Sequence, residues 1–432
     1  MKKRTSKILL FTSFVFVLIL PLLQAKMKVF NEEPLHGGVI LASKPEFSSP
    51  DWLSGKYQSA MEKYINDHIG FRPFLVRLHN QMLFTLFKQA AAKGVVVGKD
   101  NYLFEQAYID AYHGEYFTGR KDLIKKIEDL KELQSELENL SKTLIVVLPP
   151  GKASYYPEYF PEQEAGKESD STFYKEYSKL LPKYGVNCFD VNRWFLHMKD
   201  TTQHILFPQY GIHWSEYGAA IAADSLIKQL ERLSDRNLPE MKITDIRKQN
   251  YSQGTDNDIE WGMNLLKSLP SQTLSYPTIE WDYTGSDTNT NMLVIGDSFY
   301  WNWYYLGLGE KCFHKTSFWY YNNEVYPQSQ QSSLKVKSID QPSVIYNSDI
   351  VLLIASESNL VNMAWGFVDN ALNILQGNVE DSAVYRQKIE EVINRIRSDE
   401  KWMKSVKEKA KERHISVDSM LVLDAQWVIE NE

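Results

Sequence analysis

A serine stands directly behind a short apolar run in Asn291-Met292-Leu293-Val294-Ile295-Gly296-Asp297-Ser298-Phe299. Such a run reads as a buried parallel strand, and open α/β sheets place their chemistry at that carboxyl edge. Upstream by 85 residues, Tyr210-Gly211-Ile212-His213-Trp214-Ser215-Glu216-Tyr217-Gly218-Ala219 sets a histidine just ahead of a helix with an apolar stripe. A serine hydroxyl is a weak nucleophile until a base accepts its proton, and neutral imidazole does so because it titrates near working pH. Ser298 and His213 are therefore the candidate nucleophile and base. At a strand-to-helix turn, Ser298 would also have backbone N–H groups nearby for a tetrahedral oxyanion. Gly296 would let the chain turn tightly and leave room for an acyl group. Asp297 reads as a turn residue bonded to its own backbone rather than as a catalytic acid. Taken in isolation, Gly-Asp-Ser is also what an ordinary capped loop looks like.

These residues need a scaffold, and the hydrophobic pattern supplies one. Residues 120–142 carry Leu123, Ile127, Leu130, Leu133, Leu137 and Leu140 on one stripe, which predicts an amphipathic helix. Strands follow at residues 144–148 and 186–191, with a helix over 171–183 between them. The helix after His213 has a stripe beginning at Ala219 and Ala223, small enough to pack closely on a sheet. Strands at 292–295 and 350–354 complete an alternation that predicts α/β architecture: a mostly parallel sheet with helices on both faces. Ahead of it, residues 95–104 read as two short strands around a tight turn, and residues 52–93 as helical. Residues 237–285, rich in Asn, Ser, Thr and Asp, read as an insertion. The expected divisions are thus 1–25, a lead-in over 26–93, a main domain over 94–375 and a charged helical tail over 376–432.

The N-terminus begins with Lys2, Lys3, Arg4 and Lys7, then eighteen uncharged, mostly apolar residues over 8–25. That is longer than the usual core of a cleaved signal, about 7–15 residues, and within reach of a span, about 17–25. Leu23-Gln24-Ala25 makes a poor cleavage site, so an uncleaved signal anchor is expected, with its cations in the cytoplasm and the rest outside. The formal charge is −7, and subtracting the four N-terminal cations leaves −11. Such a surface is a poor match for nucleic acid. Only Cys188 and Cys312 are present, one disulfide or two free thiols, and no Cys/His cluster has metal-binding spacing. Aromatic residues make up 13% of the chain. They concentrate near the predicted edge, where Trp214, Tyr300, Trp301, Trp303, Trp319 and Tyr320 would suit a sugar-stacking platform or simply fill a core.

In their order, five pieces make a more specific pattern: Asn66-Asp67-His68-Ile69-Gly70-Phe71-Arg72, Gly98-Lys99-Asp100-Asn101-Tyr102-Leu103-Phe104, Leu148-Pro149-Pro150-Gly151-Lys152, His213-Trp214-Ser215-Glu216-Tyr217-Gly218-Ala219 and Gly296-Asp297-Ser298-Phe299. In them the chain resembles the SGNH-like domain of the alginate O-acetyltransferases, the AlgJ/AlgX group, a branch of the GDSL/SGNH hydrolases. The resemblance implies a three-layer, flavodoxin-like fold. It implies an anchored extracytoplasmic enzyme that forms an acetyl-serine at Ser298, with His213 as base, and passes the acetyl group to a polysaccharide hydroxyl. It requires no cofactor, and it implies a multi-spanning MBOAT acyltransferase as donor partner in the membrane.

One position departs from the family pattern. An acid is expected two residues before the histidine, in Asp-x-His-Trp, and Gly211 stands there. Three accounts compete: another acid, for which Glu357 behind the 350–354 strand is the candidate; a backbone carbonyl holding the ring in a dyad; or a site turned into a binding surface. Lys152, behind the 144–148 strand, is a candidate for a substrate oxygen or a plain surface residue. The alternatives to a transferase are a silent polysaccharide-binding or assembly subunit and a secreted carbohydrate esterase.

Overall fold

The computed structural model describes residues 2–38, 40–287, 289–328, 334–377, 382–412 and 417–431. Strands β1 (Val95–Val97) and β2 (Leu103–Glu105) pair antiparallel, the expected ribbon. Next come β3 (Thr143–Leu148) and β4 (Cys188–Asp190). Residues read as an insertion form a long antiparallel hairpin, β5 (Glu240–Gln249) with β6 (Leu274–Asp282), carrying the short helix Asp258–Met263 in its connection. The remaining strands are β7 (Asn291–Gly296), β8 (Lys315–Tyr320), β9 (Glu324–Tyr326) and β10 (Ile350–Ile354).

Six strands make the central sheet in the order β4-β3-β10-β7-β8-β9, all parallel except the edge strand β9. Alternate residues of a strand face opposite sides, so a sheet covered on both faces must be apolar throughout. Accordingly all six residues of β3 are buried. Ile145 and Val147 join one core with the helices Val191–Met198, Glu216–Ser234 and Tyr300–Leu306. Leu144, Val146 and Leu148 join the other with Arg120–Asn139, Phe173–Lys183 and Phe367–Leu375. The chain builds β3 and β4, jumps to β7 and β8, and returns last to insert β10 between β3 and β7. That reversal leaves a crevice at the carboxyl ends of β7 and β10, where doubly wound sheets hold ligands.

Gly296 ends β7 opposite Ile354 of β10. A Cβ there would lie 2.4 Å from Ile354 Cγ2, so glycine is needed for the packing of the two strand ends.

The lead-in is helical as expected, with helices Lys56–His68 and Arg72–Phe87 broken at the Asn66–Arg72 motif. Gly70 N–H donates to the Pro21 carbonyl at 3.1 Å, so this break meets the last turns of the apolar helix Lys2–Met27. Within that helix, Thr5–Met27 is long and apolar enough to cross a membrane. The tail forms three helices, Ser382–Ser398, Glu400–Glu412 and Val417–Asn431, around Val392, Ile396, Val406 and Leu421. Trp427 of the last helix is exposed. Both cysteines are free thiols.

Replacing Gly296 by Ala should lower the unfolding free energy by about 1–3 kcal/mol, since the new methyl forces a β-branched neighbour aside in a packed core. Urea denaturation measures this, and an unchanged midpoint would show that β10 yields without cost.

Candidate functional site

The Ser298 and His213 side chains meet. Ser298 follows β7 on the turn into helix Tyr300–Leu306, and its Oγ lies 2.9 Å from His213 Nε2. His213 sits just ahead of helix Glu216–Ser234, whose start is fixed by Ser215: its Oγ accepts from Gly218 N–H at 3.0 Å and donates to Ile205 O at 2.6 Å. The imidazole is buried between Phe299, 4.9 Å away between ring centres, and the segment that follows β5.

The acid beside the imidazole is Asp258. Its Oδ2 lies 2.6 Å from His213 Nδ1, and its Oδ1 accepts the Ile212 N–H at 2.8 Å, so the carboxylate grips both the ring and the backbone beside it. A carboxylate only accepts, which places the proton on Nδ1 and leaves the Nε2 lone pair facing the Ser298 hydroxyl. Burial pushes the His213 pKa down, but the charge of Asp258 and its hydrogen bond outweigh burial and raise it above the ordinary value.

Gly211 lies against the segment that carries this acid. A Cβ at Gly211 would come within 2.5 Å of the Thr255 carbonyl oxygen and 2.9 Å of the Asp256 carbonyl carbon. The backbone of residues 255–256 therefore fills the space a side chain at 211 would need, and the same segment delivers Asp258 two residues later. Glu260 N–H bonds to Tyr210 O at 3.2 Å and ties the short helix to the histidine loop.

Glu357, the sequence candidate for this acid, lies elsewhere. It is buried beneath the loop after β3, where its Oε1 accepts from Ser154 Oγ at 2.5 Å and Asn192 Nδ2 at 2.6 Å. Its Oε2 abuts Gly151, and burial lifts its pKa to about 7. β10 turns Glu357 toward the β3–β4 side, away from His213.

Lys152 is no surface residue and reaches no substrate space. It is fully buried, and its Nζ donates to the carbonyls of Gln209 at 2.8 Å and Gly211 at 2.5 Å, bracing the histidine loop from below. Burial brings its pKa down to about 7. Asp297 is a turn anchor: Oδ1 accepts from Phe299 N–H at 3.1 Å, and Oδ2 accepts from Ser356 N–H at 2.7 Å and Asn359 Nδ2 at 2.9 Å. It thereby locks the ends of β7 and β10 together.

The predicted aromatic set divides. Trp214, Tyr300, Trp303 and Trp319 are fully buried. Trp214 packs between Phe299 and Trp303, Tyr300 against Phe318, and Trp319 points into the opposite core against Phe367. These four are core rings and cannot touch substrate. Trp301 and Tyr320 are half-buried, packed against the edge of the first core.

A cavity of about 430 Å³ opens in front of Ser298 and His213, walled by Tyr108, Tyr321 and Asn359, with Glu105 at its side. Burial raises the Glu105 pKa, with the Asp258 charge adding to it. Sequence reasoning missed Asp258, Glu105, Tyr321 and Asn359. Nothing local marks Asp258 among the neighbouring Asp256 and Glu260, and the segment lacks periodicity. Among the described residues, no group of acids, histidines and cysteines is placed to hold a metal ion.

Residues 95–267 match the family described as the SGNH hydrolase-like domain of acetyltransferase AlgX, which spans His213 and Asp258 and ends before Ser298. Over that span the chain is similar to an SGNH hydrolase-like domain. Over 241 residues the chain is 25% identical to the probable alginate O-acetylase AlgJ of Pseudomonas aeruginosa, covering 55% of this chain and 57% of that one. It is 26% identical over 176 residues to the Azotobacter vinelandii protein of the same name, covering 40% and 43%. The chain thus spans about half the length of these curated relatives. Among solved structures, the O-acetyltransferase domain of Pseudomonas putida AlgJ aligns with 66% of this chain and 99% of its own at 16% identity and a TM-score of 0.40. Over these spans the chain is similar to the AlgJ and AlgX proteins.

In the folded protein, NMR titration of His213 should give a pKa above the ordinary imidazole value of about 6.5. In Asp258→Asn it should fall below the wild-type value, because burial then acts without the opposing charge, whereas Glu357→Gln should leave it in place. A His213 pKa unmoved by Asp258→Asn would remove Asp258 from this role.

Proposed function

We propose that the protein is an extracytoplasmic serine O-acetyltransferase that carries an acetyl group on Ser298 and delivers it to a polysaccharide hydroxyl. The observation that carries this reading is the unbroken line of hydrogen bonds from Asp258 through His213 to Ser298.

In the first half-reaction Ser298 Oγ attacks the carbonyl carbon of a donor acetyl ester while His213 Nε2 takes the hydroxyl proton. The tetrahedral oxyanion turns toward the Ser298 backbone N–H and the Asn359 side-chain amide, which Asp297 holds beside the cavity. Collapse expels the donor alkoxide, protonated by the His213 imidazolium, and leaves acetyl-Ser298. In the second half an acceptor hydroxyl gives its proton to His213 Nε2 and attacks the same carbonyl, and Ser298 leaves with that proton returned. Asp258 stays ionised throughout and stabilises the imidazolium. Water in place of the sugar hydroxyl would give an esterase. The reading as a silent binding subunit rested on the missing acid at Gly211, and a carboxylate bonded to Nδ1 removes that ground.

The membrane side of the reading rests on the apolar helix and the basic residues before it. Next to it, Leu75, Met82, Leu86 and Phe87 of helix Arg72–Phe87 are exposed, as a helix facing lipid or a membrane-embedded donor partner of the MBOAT type would be.

Incubation with an acetyl ester or a serine-directed phosphonate should add mass at Ser298, and the adduct should vanish in Ser298→Ala. Asp258→Asn should slow acylation by roughly 10³–10⁴-fold, as loss of the acid does in serine triads. The rate should rise with pH as His213 loses its proton, with the limb placed above the ordinary imidazole range because Asp258 raises that pKa. Failure to modify Ser298 with any such reagent would overturn the acyl-serine reading.

A further inference from the structure

The cavity before Ser298 is unusual in its charge. Its ionisable wall residues are Glu105, Asp258, His213 and the phenols of Tyr108 and Tyr321, which burial keeps neutral, and among the described residues lining it there is no lysine or arginine. His213 is paired with Asp258. The nearby Lys152 is buried beneath the histidine loop with its amino group bonded to two backbone carbonyls. An anion entering the cavity would meet two carboxylates and no free positive partner.

From the mouth of that cavity a path of aromatic rings runs outward. Tyr321 stands in the wall, 4.5 Å between ring centres from Tyr320. Tyr320 lies 5.5 Å from Trp301, and Trp301 stacks on Tyr305 at 5.7 Å and 25°. Tyr305 is 77% exposed, so the path ends in solvent. Tyr321 is held in place at a conformational cost: it has φ 50°, and Trp365, which meets its ring edge-on at 5.0 Å, has φ 46°. Bulky residues rarely adopt this left-handed conformation, and it persists only where the surroundings fix it. Asn322 Nδ2 donates to Trp365 O at 3.1 Å and joins the two turns.

We propose that the acceptor is an uncharged glycan whose sugar rings lie along Tyr321, Tyr320, Trp301 and Tyr305, and that the site rejects polyuronates. This rests on the acyl-serine reading above. The C–H faces of a sugar pack on aromatic faces while its hydroxyls reach the phenol groups and water. A sugar carboxylate in the same place would be desolvated beside Glu105 and Asp258, a like-charge contact that works as discrimination against the wrong partner.

The test uses the full chain with 4-nitrophenyl acetate as donor, following nitrophenolate release, Ser298 acetylation by mass, and acetyl transfer to oligosaccharides of matched length. Acceptors are neutral gluco-, manno-, galacto- and N-acetylglucosamine oligomers on one side, and alginate and polygalacturonate oligomers on the other. At least one neutral acceptor should be acetylated at ten times the rate of either uronate or better, a difference of roughly one tenfold step in transition-state binding. The transfer-to-hydrolysis ratio should fall roughly three- to tenfold in Trp301→Ala and Tyr305→Ala, with Trp301→Phe closer to wild type. The exposed Tyr305 keeps that arm informative if Trp301→Ala folds poorly. Glu105→Gln should raise uronate use relative to neutral use by roughly fivefold. Equal or better transfer to uronates, no transfer to any neutral acceptor while Ser298 is acetylated, or an unmoved ratio in Glu105→Gln would each overturn the proposal. Absence of Ser298 acetylation would instead bring down the acyl-serine reading beneath it.

Discussion

The bond between Asp258 and His213 is the contact on which the site's chemistry turns. It fixes which nitrogen carries the proton, and hence whether the other can accept one from Ser298. It also opposes the effect of burial on the imidazole, whose charged form would otherwise be disfavoured inside the protein. Three separate parts of the chain must converge for this line to form: the turn after β7, the loop before helix Glu216–Ser234, and the connection between β5 and β6. Their supports are likewise polar and buried, with Asp297 tying the ends of β7 and β10 and Lys152 bracing the carbonyls of Gln209 and Gly211.

The acid reaches the imidazole from the β5–β6 connection and not from the position two residues before the histidine. At a surface turn, losing a side chain two residues before the histidine would leave a gap. Here backbone from residues 255–256 occupies that space so closely that no Cβ fits at Gly211. The carboxylate arrives from the far side of the same contact, and its second oxygen takes the Ile212 N–H. Gly211 is thus where the two segments touch.

Much of the fold was legible because burial on both faces leaves a plain mark. The apolar strands at 144–148, 292–295 and 350–354 and the stripe from Leu123 to Leu137 follow directly from periodicity, as does the ribbon at 95–104. Ser298 and His213 were legible through their places behind a strand and before a helix. Asp258 was not, since a residue that acts across 45 positions through a loop has no periodic signature. Glu357 was misplaced because position behind a strand does not say which way a side chain turns; β10 sends it toward Asn192. Lys152 was misjudged for a related reason: a lysine is usually solvated, and only the fold reveals the two carbonyls that receive it. The aromatic residues could not be sorted into core and surface by composition, because on one short helix Tyr300 is fully buried, Trp301 half-buried and Tyr305 exposed.

The β5–β6 hairpin lies outside the central sheet yet holds the acid, and this has a consequence for how activity responds to stress. Peripheral elements open locally at lower free energies than a central sheet does. A transient lifting of the connection around Asp258 would leave the six-stranded sheet and both cores intact while the imidazole lost its anchor. On the proposed reading, heat or a protease nick in that connection would silence the molecule before it melts, so that inactivation and unfolding become two separate events in one chain.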